Sequence, residues 1–174
     1  MKNGVFNLLL ALAIFHAACN NDDVTPTINP IIGEWVAAEG QFLILTVDGE
    51  EKSLVEFGME VLRTNEAGAE LAARDYLQYS FLGPIDMQEP KLLFESPSQL
   101  SSTLSGEQIE GTWRTHNERT VLKITAPDLS ENDFSFNLKK LTVNELELDW
   151  SWEMSYIGET TEPFHVGLKI KLIK

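Results

Sequence analysis

Few side chains in this sequence have both the type and the spacing that catalysis or metal binding requires. There are three histidines and a single cysteine, Cys19. His116 and His165 have no histidine or cysteine at the spacing of a zinc site, so we interpret both as isolated polar surface residues. No Gly-x-Ser-x-Gly motif and no phosphate-binding glycine loop occurs. We therefore expect no enzymatic activity, no metal site and no cofactor.

Carboxylates are abundant, and two groups of them have candidate chemistry. The oxygen-rich segment from Asp128 to Asp133 could hold Ca²⁺, but its spacing matches no EF-hand, so a solvated turn is favoured. Glu107 and Glu110 could exchange protons with a substrate. With 27 acidic residues in the chain, however, such pairs are expected by chance. Neither group predicts a functional site.

Aromatic residues are the most informative candidates for a binding site. Six of them fall on apolar faces of predicted strands: Trp113, Phe134, Phe136, Trp150, Trp152 and Tyr156. In a small barrel such faces point inward, where side chains either fill the interior or leave room for one small ligand. Two interpretations stay open: a packed core, and an aromatic pocket for a small hydrophobic ligand.

The elements that position these aromatics are predicted by alternating hydrophobicity. From Glu145 to Tyr156 every second residue is apolar and those between are polar, which is the period of a strand with one buried face. At about 3.3 Å per residue this stretch would span about 40 Å, which suits a coiled sheet or closed barrel. Further strands are predicted at Phe42 to Val47, Lys91 to Glu95, Gln108 to Thr115, Thr120 to Thr125, Asp133 to Lys140 and Val166 to Ile173.

The middle of the chain interrupts this pattern. Glu66 to Leu77 is rich in Ala, Glu and Leu and predicts one short helix, with Asn65 as its N-cap. Ser53 to Leu62 is ambiguous, because Ser53 and Glu56 fit a helical capping box while its apolar residues alternate as in a strand. The sequence leaves both interpretations of this segment open.

The first eighteen residues have the features of a signal peptide. Lys2 precedes an apolar run from Leu8 to Phe15, which is too short to span a bilayer, and small residues follow it. Ala17, Ala18 and Cys19 resemble a bacterial lipobox, with His16 where a leucine-like residue is usual. The resemblance implies cleavage before Cys19 and a diacylglycerol on its sulfur.

The predicted domain organisation follows from this cleavage site. Residues 1–18 form the signal peptide, residues 19–30 a lipid-anchored linker, and residues 31–174 one β domain. The polar segment from Asn20 to Asp23 either resembles the surface-export signal of Bacteroidetes lipoproteins or is a plain tether. We expect a cell-envelope protein held to a membrane, specifically the outer membrane, through lipid on Cys19.

The charge of the chain limits the classes of partner that it can bind. The formal net charge is −14, so phosphates would be repelled, and we expect no nucleic-acid partner. Electrostatic attachment to anionic lipid is disfavoured for the same reason. The sequence names no protein partner.

Short motifs resemble the lipocalin-like lipoproteins of Bacteroidetes. They are Gly33-Glu34-Trp35, the Gly111 to Trp113 segment with the strand that follows it, and the stretch from Phe136 to Leu148. The resemblance implies an all-β, antiparallel, up-and-down barrel of eight to ten strands. It also implies that Trp35 closes one end of the barrel. Lipocalins usually stack a late arginine on that tryptophan. No arginine follows Arg119 here, so a lysine such as Lys169 or Lys171 is expected to take its place.

Overall fold

The computed structural model of the protein describes residues 29–40, 42–155 and 163–174. These residues form one antiparallel sheet and two short helical segments. The strands are β1 (Gly33–Ala37), β2 (Leu43–Val47), β3 (Glu50–Glu51), β4 (Lys91–Glu95), β5 (Gln99–Leu104), β6 (Glu107–His116), β7 (Val121–Thr125), β8 (Phe134–Leu141), β9 (Glu145–Met154) and β10 (Phe164–Ile173). The predicted signal peptide, Cys19 and Tyr156 lie outside the described residues.

Eight of the strands close into a barrel, which confirms the predicted all-β barrel. The hydrogen-bonded order runs β1-β4-β5-β6-β7-β8-β9-β10, and β10 pairs back with β1. From β4 to β10 each strand pairs with the next along the chain, as in an up-and-down meander. The closing seam is short: Val36 pairs with Ile173 and Ala37 with Leu172.

The first strand of the barrel is interrupted, and this gives the sheet ten strands. The β1 strand leaves β10 after the Ala38 N–H donates to the Lys171 carbonyl at 3.1 Å. The chain returns to the same edge of β10 where the Lys171 N–H donates to Phe42 O at 2.7 Å. The following strand, β2, then pairs with residues 166–170 of β10 and forms a hairpin with β3. The break opens a gap between β2 and β4.

The helical segments lie in the chain between β3 and β4. The first, α1 (Leu54–Glu56), runs on into a π-helical turn at Phe57–Val61; the second, α2 (Glu66–Leu77), runs on into another at Gln78–Leu82. The helix predicted over residues 66–77 is confirmed, and the Asn65 side chain caps it by accepting from the Gly68 N–H at 3.0 Å. The segment from Ser53 to Leu62, whose conformation the sequence left open, is helical from Leu54 to Val61.

A capping box decides the conformation of residues 53–62. The Ser53 N–H donates to Glu56 Oε2 at 2.7 Å, and the Glu56 N–H donates to Ser53 Oγ at 3.2 Å. Close packing supports the same conformation: an added Cβ on Gly58 would lie 2.1 Å from the carbonyl oxygen of Ala69. Phe57 and Val61 are thereby buried against α2, which their alternating spacing did not reveal.

The helices cover one end of the barrel, which we call the helical end; it also holds the β5–β6 turn and the loop 126–133. The opposite end, the tether end, holds the turns 96–98, 117–120 and 142–144, residues 30–32 and Lys174. The core fills the space between them. Its largest fully buried side chains include Trp35, Phe57, Phe94, Phe136, Leu77 and Leu122.

Besides the two-residue strand β3, the β5 strand was not predicted from sequence. It contains Ser101, Ser102 and Thr103 and so lacks the apolar alternation that marks its neighbours. Pairing with β4 and β6 on its two sides holds β5 in the sheet, with Leu100 and Ser102 facing inward.

Candidate functional site

The predicted aromatic residues that the structure describes all lie in or against the barrel core. Trp113, Phe134 and Phe136 are buried, whereas Trp150 and Trp152 are half-buried and pack on the core from β9. The strand alternation therefore assigned the inward face correctly at these positions. Whether these residues bind a ligand stays a prediction.

The structure divides these aromatics between the two ends of the barrel. Trp113 lies towards the tether end, edge-to-face with Phe94 at 5.7 Å between ring centroids. Its indole N–H donates to the Glu95 carbonyl at 3.0 Å, so the polar edge of this buried ring is satisfied. Phe136 and Trp150 form a second edge-to-face pair, also at 5.7 Å, further towards the helical end. Among the described residues, Trp113 therefore pairs with a different aromatic ring from the one that pairs with Trp150.

Phe81 occupies the face where a ligand was expected. It comes from the π-helical turn after α2, and its ring stacks on Trp152 with centroids 3.8 Å apart and planes 24° apart. The same ring meets Trp150 edge-to-face at 5.0 Å. Phe81 was not a candidate in the sequence analysis, since neither strand nor helix period marks it. The surface that would receive an apolar ligand is therefore covered by the chain's own aromatic ring.

Tyr76 extends the aromatic cluster back into the helices. Its ring meets Phe81 edge-to-face at 5.5 Å and lies 6.1 Å from Phe57. The Tyr76 hydroxyl lies 3.6 Å from the sulfur of Met154. Partial burial raises the pKa of the Tyr76 phenol above its ordinary value, so this hydroxyl is protonated at neutral pH.

The backbone at Gly83 allows the helices to sit this close to the barrel. Gly83 follows the second π-helical turn with φ at +56°, a region that favours glycine. An added Cβ there would lie 2.6 Å from the ring of Phe134. The helical segments thus pack directly against the Phe134 ring of β8.

Trp35 anchors the tether end. It is fully buried, and its indole N–H donates to the Ile31 carbonyl at 2.7 Å. The cation over its ring is Lys174, whose Nζ lies 4.7 Å from the ring centroid. A lysine therefore takes the place of the late arginine, as expected, but it is Lys174 and not Lys169 or Lys171. Residues 166, 168, 170 and 172 of β10 are the buried ones, so the lysines between them lie on the outer face.

Lys174 also binds the chain that leads into β1. Its ammonium donates to the carbonyls of Pro30 and Ile32, each at 2.7 Å. Burial lowers the pKa of Lys174 below its ordinary value. These contacts fix the point at which the predicted linker reaches the barrel.

The acidic segment from Asp128 to Asp133 makes structural contacts. The Asp133 carboxylate accepts from the Thr125 hydroxyl at 2.7 Å and pairs with Arg114. The Thr125 hydrogen bond, followed by the charge of Arg114, holds the pKa of Asp133 below its usual range.

Among the described residues, no group of three or more His, Cys, Asp or Glu side chains is placed to hold a metal ion. In the same part of the chain, no helix has the length and apolar character needed to cross a membrane.

Comparison with known proteins adds no assignment. No protein-family model matches this chain, and neither a curated protein nor a solved structure matches it.

Proposed function

We propose that this protein is a lipid-anchored lipoprotein of the cell envelope, and specifically of the outer membrane, whose barrel serves as a non-enzymatic interaction module. The anchor is diacylglycerol on Cys19, which follows the apolar run and two alanines of a lipobox-like site. The lipocalin-like motifs at Gly33 to Trp35 and Gly111 to Trp113 support the same class of protein. In this proposal the outer surface of the barrel, and not its interior, meets the partner.

The observation that carries the interaction role is the self-filled interior. Phe81 covers Trp152 with a ring-to-ring distance of 3.8 Å, and the inward positions of the meander are buried side chains. A ligand entering from the helical end would first have to displace this ring and the π-helical turn that carries it. A small barrel whose interior is filled by side chains has no room inside for a ligand, so a partner would meet its surface and loops.

The anchor is tested by acylation in the producing cell. Labelled palmitate should enter the wild-type protein and the Asn20→Ala variant, which keeps the cysteine. The Cys19→Ala variant should take up no label and should leave the membrane fraction. Membrane retention of Cys19→Ala equal to that of the wild type would refute the lipid anchor.

A second candidate function is the binding of a small hydrophobic ligand at the helical end. The observation in its favour is that Trp150, Trp152 and Met154 stay partly exposed around Phe81. Aromatic side chains of this kind bind apolar and planar molecules.

Tryptophan fluorescence separates the two candidates. We would titrate a fatty acid and a planar hydrophobic dye into the purified wild type, the Phe81→Ala variant and the control Tyr79→Ala. The interaction role predicts no saturable change for the wild type or for Tyr79→Ala, and a gain of weak binding in Phe81→Ala. Saturable binding by the wild type, weakened by Trp152→Ala, would instead favour the ligand-binding function.

A further inference from the structure

We propose that the tether end of the barrel faces the lipid bilayer and that the helical end points away from it. This proposal rests on the lipid anchor at Cys19. It identifies the tether end as an interaction surface and a phospholipid bilayer as the partner that this surface contacts.

Lys174 joins two parts of the tether end, residues 30–32 and the turn 142–144. Its ammonium holds the carbonyls of Pro30 and Ile32, and its backbone N–H donates to Asn144 O at 3.3 Å. The chain that leads back towards Cys19 is therefore fixed beside the β8–β9 turn. Trp35 fixes the same segment from inside the barrel, because its indole N–H donates a hydrogen bond to the Ile31 carbonyl.

The length of the remaining chain limits how the barrel can turn. Cys19 lies ten positions before Asn29, so even a fully extended connection spans at most about 35 Å. The ten-residue strands of the barrel are about 33 Å long, and a typical strand tilt of about 35–45° makes this about 25 Å along the barrel axis. The helical end could reach the bilayer only if most of this connection were stretched along the barrel wall. The tether end reaches it with the connection in any conformation.

Charge is distributed unevenly along the barrel and favours the same orientation. At the helical end, the β2–β3 hairpin and the loop 126–133 contain six acidic residues and no lysine or arginine. They are Asp48, Glu50, Glu51, Asp128, Glu131 and Asp133, of which Glu50 lies 3.8 Å from Lys52 and Asp133 pairs with Arg114. The whole segment 48–90 still holds ten acidic residues against three basic ones, so this end keeps a clear excess of negative charge. An anionic lipid surface repels such a group over about one Debye length, roughly 8 Å at physiological salt.

The tether end, by contrast, has acidic and basic groups in balance. Lys140 pairs with Glu145 at the β8–β9 hairpin, and the turn 117–120 carries Glu118 beside Arg119. Lys174, held by the Pro30 and Ile32 carbonyls, adds a cation, and the exposed Glu95 beside the turn 96–98 adds an acid. This end therefore approaches an anionic surface without the repulsion that the helical end meets.

An exposed apolar side chain marks the tip of the tether end. Val143, in the turn 142–144, is 68% exposed. It lies next to Asn144, which accepts the hydrogen bond from Lys174. A valine at this tip can enter the interface between head groups and acyl chains once the anchor holds the barrel close.

Tryptophan quenching in lipid tests the orientation. The full-length lipidated protein, with Val143→Trp or with Tyr79→Trp at the helical end, is reconstituted into vesicles. These contain brominated phosphatidylcholine and a minor share of phosphatidylglycerol, and the wild type supplies the background of native tryptophans. Tyr79 is 77% exposed, so both substitutions are at surface positions. We expect the added emission of Val143→Trp to be strongly quenched and that of Tyr79→Trp to be unchanged.

Equal quenching at the two positions, or stronger quenching of Tyr79→Trp, would overturn the orientation. A second position at the tether end controls for a local effect of the Val143 substitution. The added emission of Arg119→Trp, in the neighbouring turn, should be quenched more than that of Tyr79→Trp. Palmitate labelling and membrane retention are measured on the same preparations. Loss of retention would overturn the anchor and the orientation together, whereas retained protein with reversed quenching would overturn the orientation alone.

Discussion

The ring of Phe81 stacks on the indole of Trp152, with ring centroids 3.8 Å apart. One residue belongs to a π-helical turn and the other to β9, so this contact couples the helices to the barrel. It also covers the aromatic face that the sequence offered as a binding surface. The contact is the basis of the first prediction.

Phe81→Ala should destabilise the protein by about 3 kcal/mol, since the ring loses its contacts with Trp150 and Trp152 and leaves a cavity. The value lies at the low end of the usual range because Phe81 is only half-buried. Tyr79→Ala, in the same turn but 77% exposed, should change stability by about 0.5 kcal/mol or less. Urea melts of both variants measure the difference. Equal losses would show that the Phe81 contact contributes nothing specific.

The face assignment of β9 is tested by Trp150→Ala and Glu147→Ala. Trp150 contacts both Phe136 and Phe81, so its removal should cost about 3 kcal/mol, again the low end of the usual range because Trp150 is half-buried. Glu147 lies 3.4 Å from Lys169 on the outer face, and loss of such a surface pair should cost about 1 kcal/mol or less. Denaturant melts compare the two. A greater loss in Glu147→Ala would contradict the inward placement of Trp150.

The packing of the two helices depends on a missing side chain at Gly58. An added Cβ would lie 2.1 Å from Ala69 O, so Gly58→Ala should force the helices apart and destabilise by about 1–3 kcal/mol. Gly68→Ala is the matched control, because its Cβ would meet nothing closer than 3.6 Å. Alanine has a higher helix propensity than glycine, so Gly68→Ala should stabilise the protein by about 0.5–1 kcal/mol. Thermal melts should therefore shift in opposite directions, and shifts of the same sign would contradict the close approach.

Asp86 should contribute stability that depends on pH. Burial tends to raise the pKa of its carboxyl, but hydrogen bonds from the backbone N–H groups of Ser105, Gln88 and Glu89 outweigh that effect and lower the pKa below its ordinary value. A depressed folded-state pKa stabilises the fold above the unfolded-state value, and this contribution is lost as pH falls through the folded-state value.

Asp86→Ala should therefore cost about 1 kcal/mol at neutral pH, and the difference from wild type should shrink as pH falls below about 4. Urea melts across that range give the comparison, and Asp128→Ala, an exposed carboxylate, serves as the control. A deficit in Asp86→Ala that stays constant down to the acid limit would show that its charge is not what stabilises the turn.

Much of the barrel follows from local sequence alone. The alternation in Glu145 to Met154 and in Phe164 to Ile173 fixes two strands and their faces, because a strand places successive side chains on opposite sides. The cap at Asn65 marks the start of α2 in the same way, through a side chain that satisfies a nearby N–H.

Residues 53–62 show where local sequence stops being decisive. Their apolar alternation and their capping box favour different structures, and each is a property of a few neighbouring residues. The helical outcome depends also on Gly58, whose role becomes visible only when Ala69 is placed against it.

The sequence by itself determined most of the strands, their inward faces, the second helix and the candidate aromatic residues. Tertiary structure alone decided that Phe81 covers Trp152 and that Lys174, rather than Lys169 or Lys171, lies over Trp35. Those partners are separated by 71 and 139 positions in the chain. Periodicity and capping reflect interactions between close neighbours, whereas these contacts depend on how the closed barrel brings distant segments together.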